Sequence, residues 1–318
     1  MRLPEEASPG HGAVNKASAK KDEVIDVHIH PLVGEEELLA EMDRAEVSQG
    51  VLLAMDVDPK RLDLEEIRGV VLQRLLDSYV WDAPRVEGEM RRILSLAKVT
   101  NSAVAEMVDR HPKRFIGFGS VDVTKGKQYV REKLNEIKGL NLRGVKISPT
   151  LQFFNPVRSK ESRLLWRLCE GEGLIITCHT GCDPGPWEVP GLSEDANPRR
   201  LEPLLKTYDT RVILAHMGSY SSARPGIWLE EALAMGGRHD EVWVDLSAVT
   251  FMMGDEGVVE RLRETIGLDR VLFGSDYPVV QGASVAEAVN HVRESPFLTV
   301  REKGRILRDN ARDLLKIS

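Results

Sequence analysis

The chain has 318 residues, 42% apolar and 29% charged, with a formal net charge of −7 at pH 7. That balance suits a globular protein with a large core, and no apolar run approaches the roughly 18 residues a membrane span needs, so no membrane association is expected. The acidic charge, with no Lys/Arg-rich block beyond the N-terminal tail, argues against nucleic acid as a partner.

Residues 1–22, MRLPEEASPGHGAVNKASAKKD, lack the apolar core of a secretory signal and read as a mobile arm ahead of one domain at 23–318. His11 lies in that arm and is assigned no chemistry. Next, the apolar Val24-Ile25 leads into D-V-H-I-H-P, Asp26 to Pro31. Alternate residues of a strand share a face, so His28 and His30 would meet at one point, as a strand does when it grips a metal. On this stretch alone, two rings flanking Ile29 on a solvated face are an equal alternative.

Further β-branched runs follow at Gly50–Met55, Arg114–Val121, Arg143–Ile147, Leu174–His179, Arg211–His216, Glu241–Leu246 and Arg270–Ser275. Helical patterns fall between them, among others at Glu35–Ala45, Val130–Ile137 and Ser159–Glu170. Eight strands alternating with helices predict an α/β fold, a (β/α)8 TIM barrel. A doubly wound open sheet is disfavoured because no G-x-G-x-x-G follows the first strand. Asp58 to Arg110 is too long for one crossover and carries two helical patterns, so it reads as a helical insertion between strands 2 and 3. Thr299 and Glu302 form a capping box for the last helix, with Leu307, Leu314 and Leu315 as its apolar face. Three cysteines, Cys169, Cys178 and Cys182, are too few and too clustered for a disulfide framework, which points to a reducing, cytoplasmic setting.

Barrel enzymes take their catalytic groups from the C-terminal ends of strands. Here those ends read His28-Ile29-His30, Val145-Lys146, Cys178-His179, Ala215-His216 and Gly274-Ser275-Asp276. His28, His30, His179 and Asp276 make an N/N/N/O set suited to Zn²⁺ or another first-row divalent ion, with His216 beside it as an acid/base or polarising group. Singly, each histidine reads as a hydrogen-bonded core residue and Asp276 as a helix cap. Pro278 and a next helix starting only near Ser284 weigh against the cap.

The order D-x-H-x-H, H-T-G, A-H-M-G and G-S-D-Y-P, with G-V-K-I-S-P at Gly144–Pro149 and D-N-A-R-D-L-L at Asp309–Leu315, resembles the amidohydrolase superfamily. It looks most like the branch holding small metal-dependent hydrolases and aminocarboxymuconate-semialdehyde decarboxylase. The resemblance implies one divalent metal, Zn²⁺ by preference, held by His28, His30, His179 and Asp276, with His216 as catalytic neighbour. Binuclear members carry a carboxylated lysine on strand four, near Lys146; the branch resembled here has a plain lysine and one metal.

The leading expectation is a metal-dependent hydrolase of a C–N or C–O bond, with Asp276 as proton acceptor and His216 aiding the leaving group. The alternative is a non-oxidative decarboxylase of an unsaturated carboxylic acid, which an arginine facing the site would favour; Arg85, Arg91, Arg92 and Arg158 are candidates. A barrel that binds without chemistry predicts a missing ligand, and none is missing. The loops after strands four to six place Lys146, Gln152, Phe153, Phe154, Trp187, Met217 and Tyr220 where a small organic substrate would bind. For Phe153 and Phe154, packing beneath the insertion is the alternative. The insertion, with Trp81 and Arg85, is expected to cover the site or to join two copies in a homo-oligomer.

Overall fold

The computed structural model describes residues 23–78, 82–183 and 185–317; the arm at 1–22 and Trp81 fall outside them. Eight parallel strands form one sheet in sequence order: β1 (Val24–Ile29), β2 (Val47–Leu53), β3 (Phe115–Ser120), β4 (Gly144–Ile147), β5 (Ile175–Gly181), β6 (Val212–Tyr220), β7 (Val242–Asp245) and β8 (Val271–Leu272). The sheet curls on itself. Val27 N donates to Phe273 O at 3.0 Å and Asp276 N to His28 O at 2.9 Å, joining the last strand region to the first. This is the (β/α)8 barrel the alternation predicts.

The strand residues divide between two apolar layers. Ile25, Val27, Val51, Leu53, Ile116, Phe118, Ile175, Ile213 and Leu272 pack with one another, and Ala311, Leu314 and Leu315 of the last helix join them. Their neighbours in the alternation, among them Leu52, Phe115, Val145, Ile176, Leu214 and Val244, pack with the surrounding helices. Both strand faces are therefore buried, which is why the strands read as unbroken apolar runs. The capping box at Thr299 and Glu302 is formed.

Between β2 and β3 lie a 3₁₀ turn at Pro59–Asp63 and three helices rather than the two expected: Glu65–Asp77, Ala83–Ala97 and Asn101–Arg110. The third is the ordinary crossover helix. It lies so close to β3 that a Cβ on Gly117 would meet Val104 Cγ1 at 2.9 Å, a contact only glycine avoids. The insertion proper thus ends near Ala97. Its Leu62, Val71, Leu75, Met90 and Leu94 pack in a separate apolar cluster against Met55, Val57, Leu151, Trp187 and Leu192 of the loops beyond the strands. Among the described residues no helix is long and apolar enough to cross a membrane.

Candidate metal and catalytic site

The chemistry-bearing residues sit where strand periodicity breaks. Strict alternation from Val27 would send His28 to the helix side, but the pairing of β1 with β2 shifts between Asp26 and Ile29. The shift has a local cause. Asp26 Oδ1 accepts from His28 N at 2.9 Å and from Ser275 N at 3.1 Å, a side-chain turn that takes His28 N out of the ladder. Within β6 and just beyond β8 the backbone itself turns, His216 having φ 61° and Asp276 φ 64°. Left-handed backbone at non-glycine residues costs energy and concentrates at functional sites.

His28, His216 and Asp276 each offer a ligand atom within 4.8 Å of the others. Asp276 Oδ1 lies 3.3 Å from Nε2 of His28 and 3.3 Å from Nε2 of His30. Asp276 Oδ2 is buried with no hydrogen-bond partner. His179 Nδ1 is 3.2 Å from His216 Nε2. His179 Nε2 lies 3.2 Å from Asp183 Oδ2 without the alignment of a hydrogen bond, and is itself unpartnered. Lys146 Nζ closes the floor, 3.0 Å from His28 Nε2. Imidazole nitrogens facing a carboxylate oxygen and other orphaned acceptors form the environment a divalent cation relieves, so these residues fit such an ion.

Burial holds the imidazoles of His28 and His216 well below their usual 6.5, and that of His179 below it; Lys146 is likewise lowered by burial. Neutral imidazole is the form that binds a metal. Each depressed histidine stabilises the fold above pH 6.5 and loses that contribution as pH falls, because the unfolded chain takes up protons that the folded chain refuses. Asp26 acts in the opposite direction: burial raises it to about 7, so below that value it favours the fold. Asp122, also raised by burial, adds to Asp26, and His239, also lowered by burial, adds to the histidines, so four histidines oppose two carboxyls. We expect the melting temperature in a chelator to fall between pH 7 and pH 5, followed by circular dichroism; a rise on acidification would contradict the neutral histidines.

A cavity of about 560 Å³ opens above this floor. His30, Lys146, His179, His216, Tyr220 and Asp276 line it from the barrel, and Glu89, Arg92, Ile93 and Ala97 line it from the insertion. The insertion therefore does form a wall of the site. Of the four candidate arginines only Arg92 is in that lining. Its guanidinium holds Glu89 at 2.6 and 2.9 Å.

Lys146 and Tyr220 stand where the sequence places them, and the Tyr220 ring centroid is 4.8 Å from that of His216. The five other proposed substrate contacts do not reach the cavity. Gln152 is buried and spent on backbone, its Oε1 accepting from Ser148 N and its Nε2 donating to Asp56 O and Val121 O. Phe153 and Trp187, with ring centroids 6.4 Å apart, line a separate 120 Å³ cavity beneath the insertion with Ile67, Val71 and Arg74. Met217 and Phe154 are buried in the main core.

Sequence reasoning passed over Asp245, Ser247 and Asp183. Asp245 closes the run VWVD of β7, and that position, the end of a strand, was its only signal. Its Oδ2 lies 2.9 Å from His28 Nδ1 and its Oδ1 accepts from His216 N at 3.0 Å. Asp183 follows β5 by two residues and accepts a hydrogen bond from Thr150 Oγ1.

The chain matches the amidohydrolase family over residues 25–317, and it belongs to that family. A curated relative, the 2-amino-3-carboxymuconate-6-semialdehyde decarboxylase of Dictyostelium discoideum, is 25% identical over 253 residues, 70% of this chain and 67% of its own. Among solved structures, a probable 2-pyrone-4,6-dicarboxylic acid hydrolase of Acinetobacter baumannii aligns with a TM-score of 0.62 at 15% identity, covering 92% of this chain and 99% of that one. The 5-carboxyvanillate decarboxylase of Novosphingobium aromaticivorans, complexed with manganese and 4-hydroxy-3-methoxy-5-nitrobenzoic acid, aligns with a TM-score of 0.59 at 16% identity, covering 90% and 80%. At such identities the structural likeness shows the fold.

Proposed function

We propose that this protein is a metal-dependent, non-oxidative decarboxylase of a small unsaturated or aromatic carboxylic acid, with His28, His30, His179 and Asp276 holding one divalent ion. The donor set of three imidazoles and a carboxylate favours Zn²⁺. The observation that carries the reading is Arg92 in the wall of the cavity whose floor holds Asp276. Arg92 is 57% exposed, and an ion pair so wet is weak, so a substrate carboxylate can replace Glu89 on its guanidinium. The curated decarboxylase relative supports the same reading.

A bound ion would supply positive charge against which a substrate oxygen is held and electron density can gather. The residues of the chain do the rest. Arg92 of the insertion and Lys146 of the barrel floor orient an anionic substrate. Asp276 Oδ2, free of any partner, carries a proton to the carbon that bears the carboxylate. The C–C bond to the carboxylate then breaks, its electron pair restores the conjugated system, CO₂ leaves, and solvent returns the proton to Asp276.

Hydrolysis is the second reading, favoured by the same free oxygen acting as base. The test is a panel of unsaturated and aromatic acids, lactones and amides offered to zinc- and manganese-loaded protein, scoring CO₂ and acid release separately. CO₂ release is expected; acid release without CO₂ would give the place to hydrolysis. His216→Ala is expected to keep its metal and lose most turnover, since its role is taken as proton transfer or polarisation. Metal analysis decides: an ion lost with the ring would make His216 a ligand.

A further inference from the structure

We propose that Asp245 and Ser247, at the end of β7, are positioning residues that fix the tautomers of the site's histidines, with the proton on Nδ1 and the lone pair on Nε2.

His28 is held between a carboxylate oxygen at Nδ1 and an amine nitrogen at Nε2. Asp245 Oδ2, 2.9 Å from Nδ1, is a carboxylate oxygen and requires the proton on Nδ1. Lys146 Nζ, 3.0 Å from Nε2, is placed to donate to a lone pair there. The carboxylate fixes the tautomer and the amine is compatible with it. His216 follows the same logic. Its Nδ1 lies 3.0 Å from the Ser247 carbonyl oxygen, which only accepts, and 2.8 Å from Ser247 Oγ. The proton is therefore on Nδ1, and Nε2 has a lone pair. That lone pair faces His179 Nδ1 at 3.2 Å, so His179 donates there and leaves its own Nε2 bare at the cavity wall.

The hub is saturated. Asp245 Oδ1 accepts from the backbone N of His216 and of Ser247, each at 3.0 Å, and from the Ser247 hydroxyl. With its hydroxyl proton given to Asp245, Ser247 Oγ can only accept from the rings, 3.0 Å from His28 Nδ1 and 2.8 Å from His216 Nδ1. Every proton in the network has one place. Asp245 is fully buried, so an alternative arrangement has no water to complete it. The functional consequence rests on the reading of His28 and His179 as metal ligands; the tautomer assignment itself does not.

The assignment is read directly in metal-free wild-type protein labelled with ¹⁵N-histidine, by long-range ¹H–¹⁵N correlation at neutral pH, each ring identified through its loss in the single His→Gln variant. Protons on Nδ1 of His28, His216 and His179 are expected. In Asp245→Asn the amide turns an N–H toward His28 Nδ1, so His28 should change tautomer, and zinc affinity by competition with a chelating dye should fall by about 10- to 100-fold. A wild-type proton on Nε2 of His28 or His216 would overturn the proposal, as would an Asp245→Asn protein with unchanged tautomers and zinc affinity. Should that variant not fold, the wild-type spectrum alone decides. Wild-type protein with the expected tautomers but no zinc binding would support the positioning role and overturn only the metal-site reading.

Discussion

Asp276→Asn should lower kcat by about 10²- to 10⁴-fold, the usual worth of a positioned proton-transfer group. The substitution is a clean one at this position. Asparagine accepts left-handed backbone readily, so the φ of 64° just beyond β8 need not change, and the N–H···O bond from residue 276 to His28 O is a backbone bond that survives. The amide keeps one acceptor oxygen to stand between His28 and His30. What it loses is the second carboxylate oxygen, the buried and partnerless one, and with it the capacity to take up and give a proton. Rates are compared with zinc in excess, so that weakened binding is not read as lost chemistry. Turnover near the wild-type value would mean that the proton travels through another group, His216 being nearest in role, and the two assignments would exchange.

The second large effect is on metal content. His28→Ala should reduce bound metal at least tenfold after purification and dialysis, because a ligand is removed and its neighbours are disordered at the same stroke. Asp245 Oδ2 loses its ring partner and Lys146 Nζ loses the acceptor beneath it, both fully buried. A buried polar group left unsatisfied costs about 1–3 kcal/mol, so the variant should also melt earlier, and its melting curve shows whether the fold has survived. Full occupancy in a folded His28→Ala protein would remove His28 from the ligand set and with it the basis of the site.

The barrel was legible because parallel strands buried on both faces leave apolar runs that no other element produces at this spacing, and runs such as VILA and VLFG fell where strands were found. The histidines were legible because they end those runs. Their geometry was not: the D-x-H-x-H pattern suggests two rings on one strand face, whereas β1 stops at Ile29 and the pairing shift made by Asp26 is what aims His28. Asp245 was passed over because an acidic residue ending a strand differs in no local way from the many that face solvent; only the fold brings it within reach of His28, 217 positions away. Phe153 and Trp187 failed as substrate contacts for a related reason. Aromatic residues after strand ends mark a place for apolar burial, and sequence alone does not say whether a ligand or the insertion fills it. Here the insertion does.

The floor of the cavity belongs to the barrel, while Glu89, Arg92, Ile93 and Ala97 come from the inserted helix Ala83–Ala97, whose Met90 and Leu94 pack in a cluster apart from the main barrel core. Selection can therefore act on the two separately. Exchanging residues on the cavity side of the helix Ala83–Ala97 alters which molecule is admitted without touching any strand end, so a change of diet need not pass through a dead intermediate. A lineage built this way would diversify by rewriting one helical graft, and laboratory evolution toward new acids should find its first productive substitutions there.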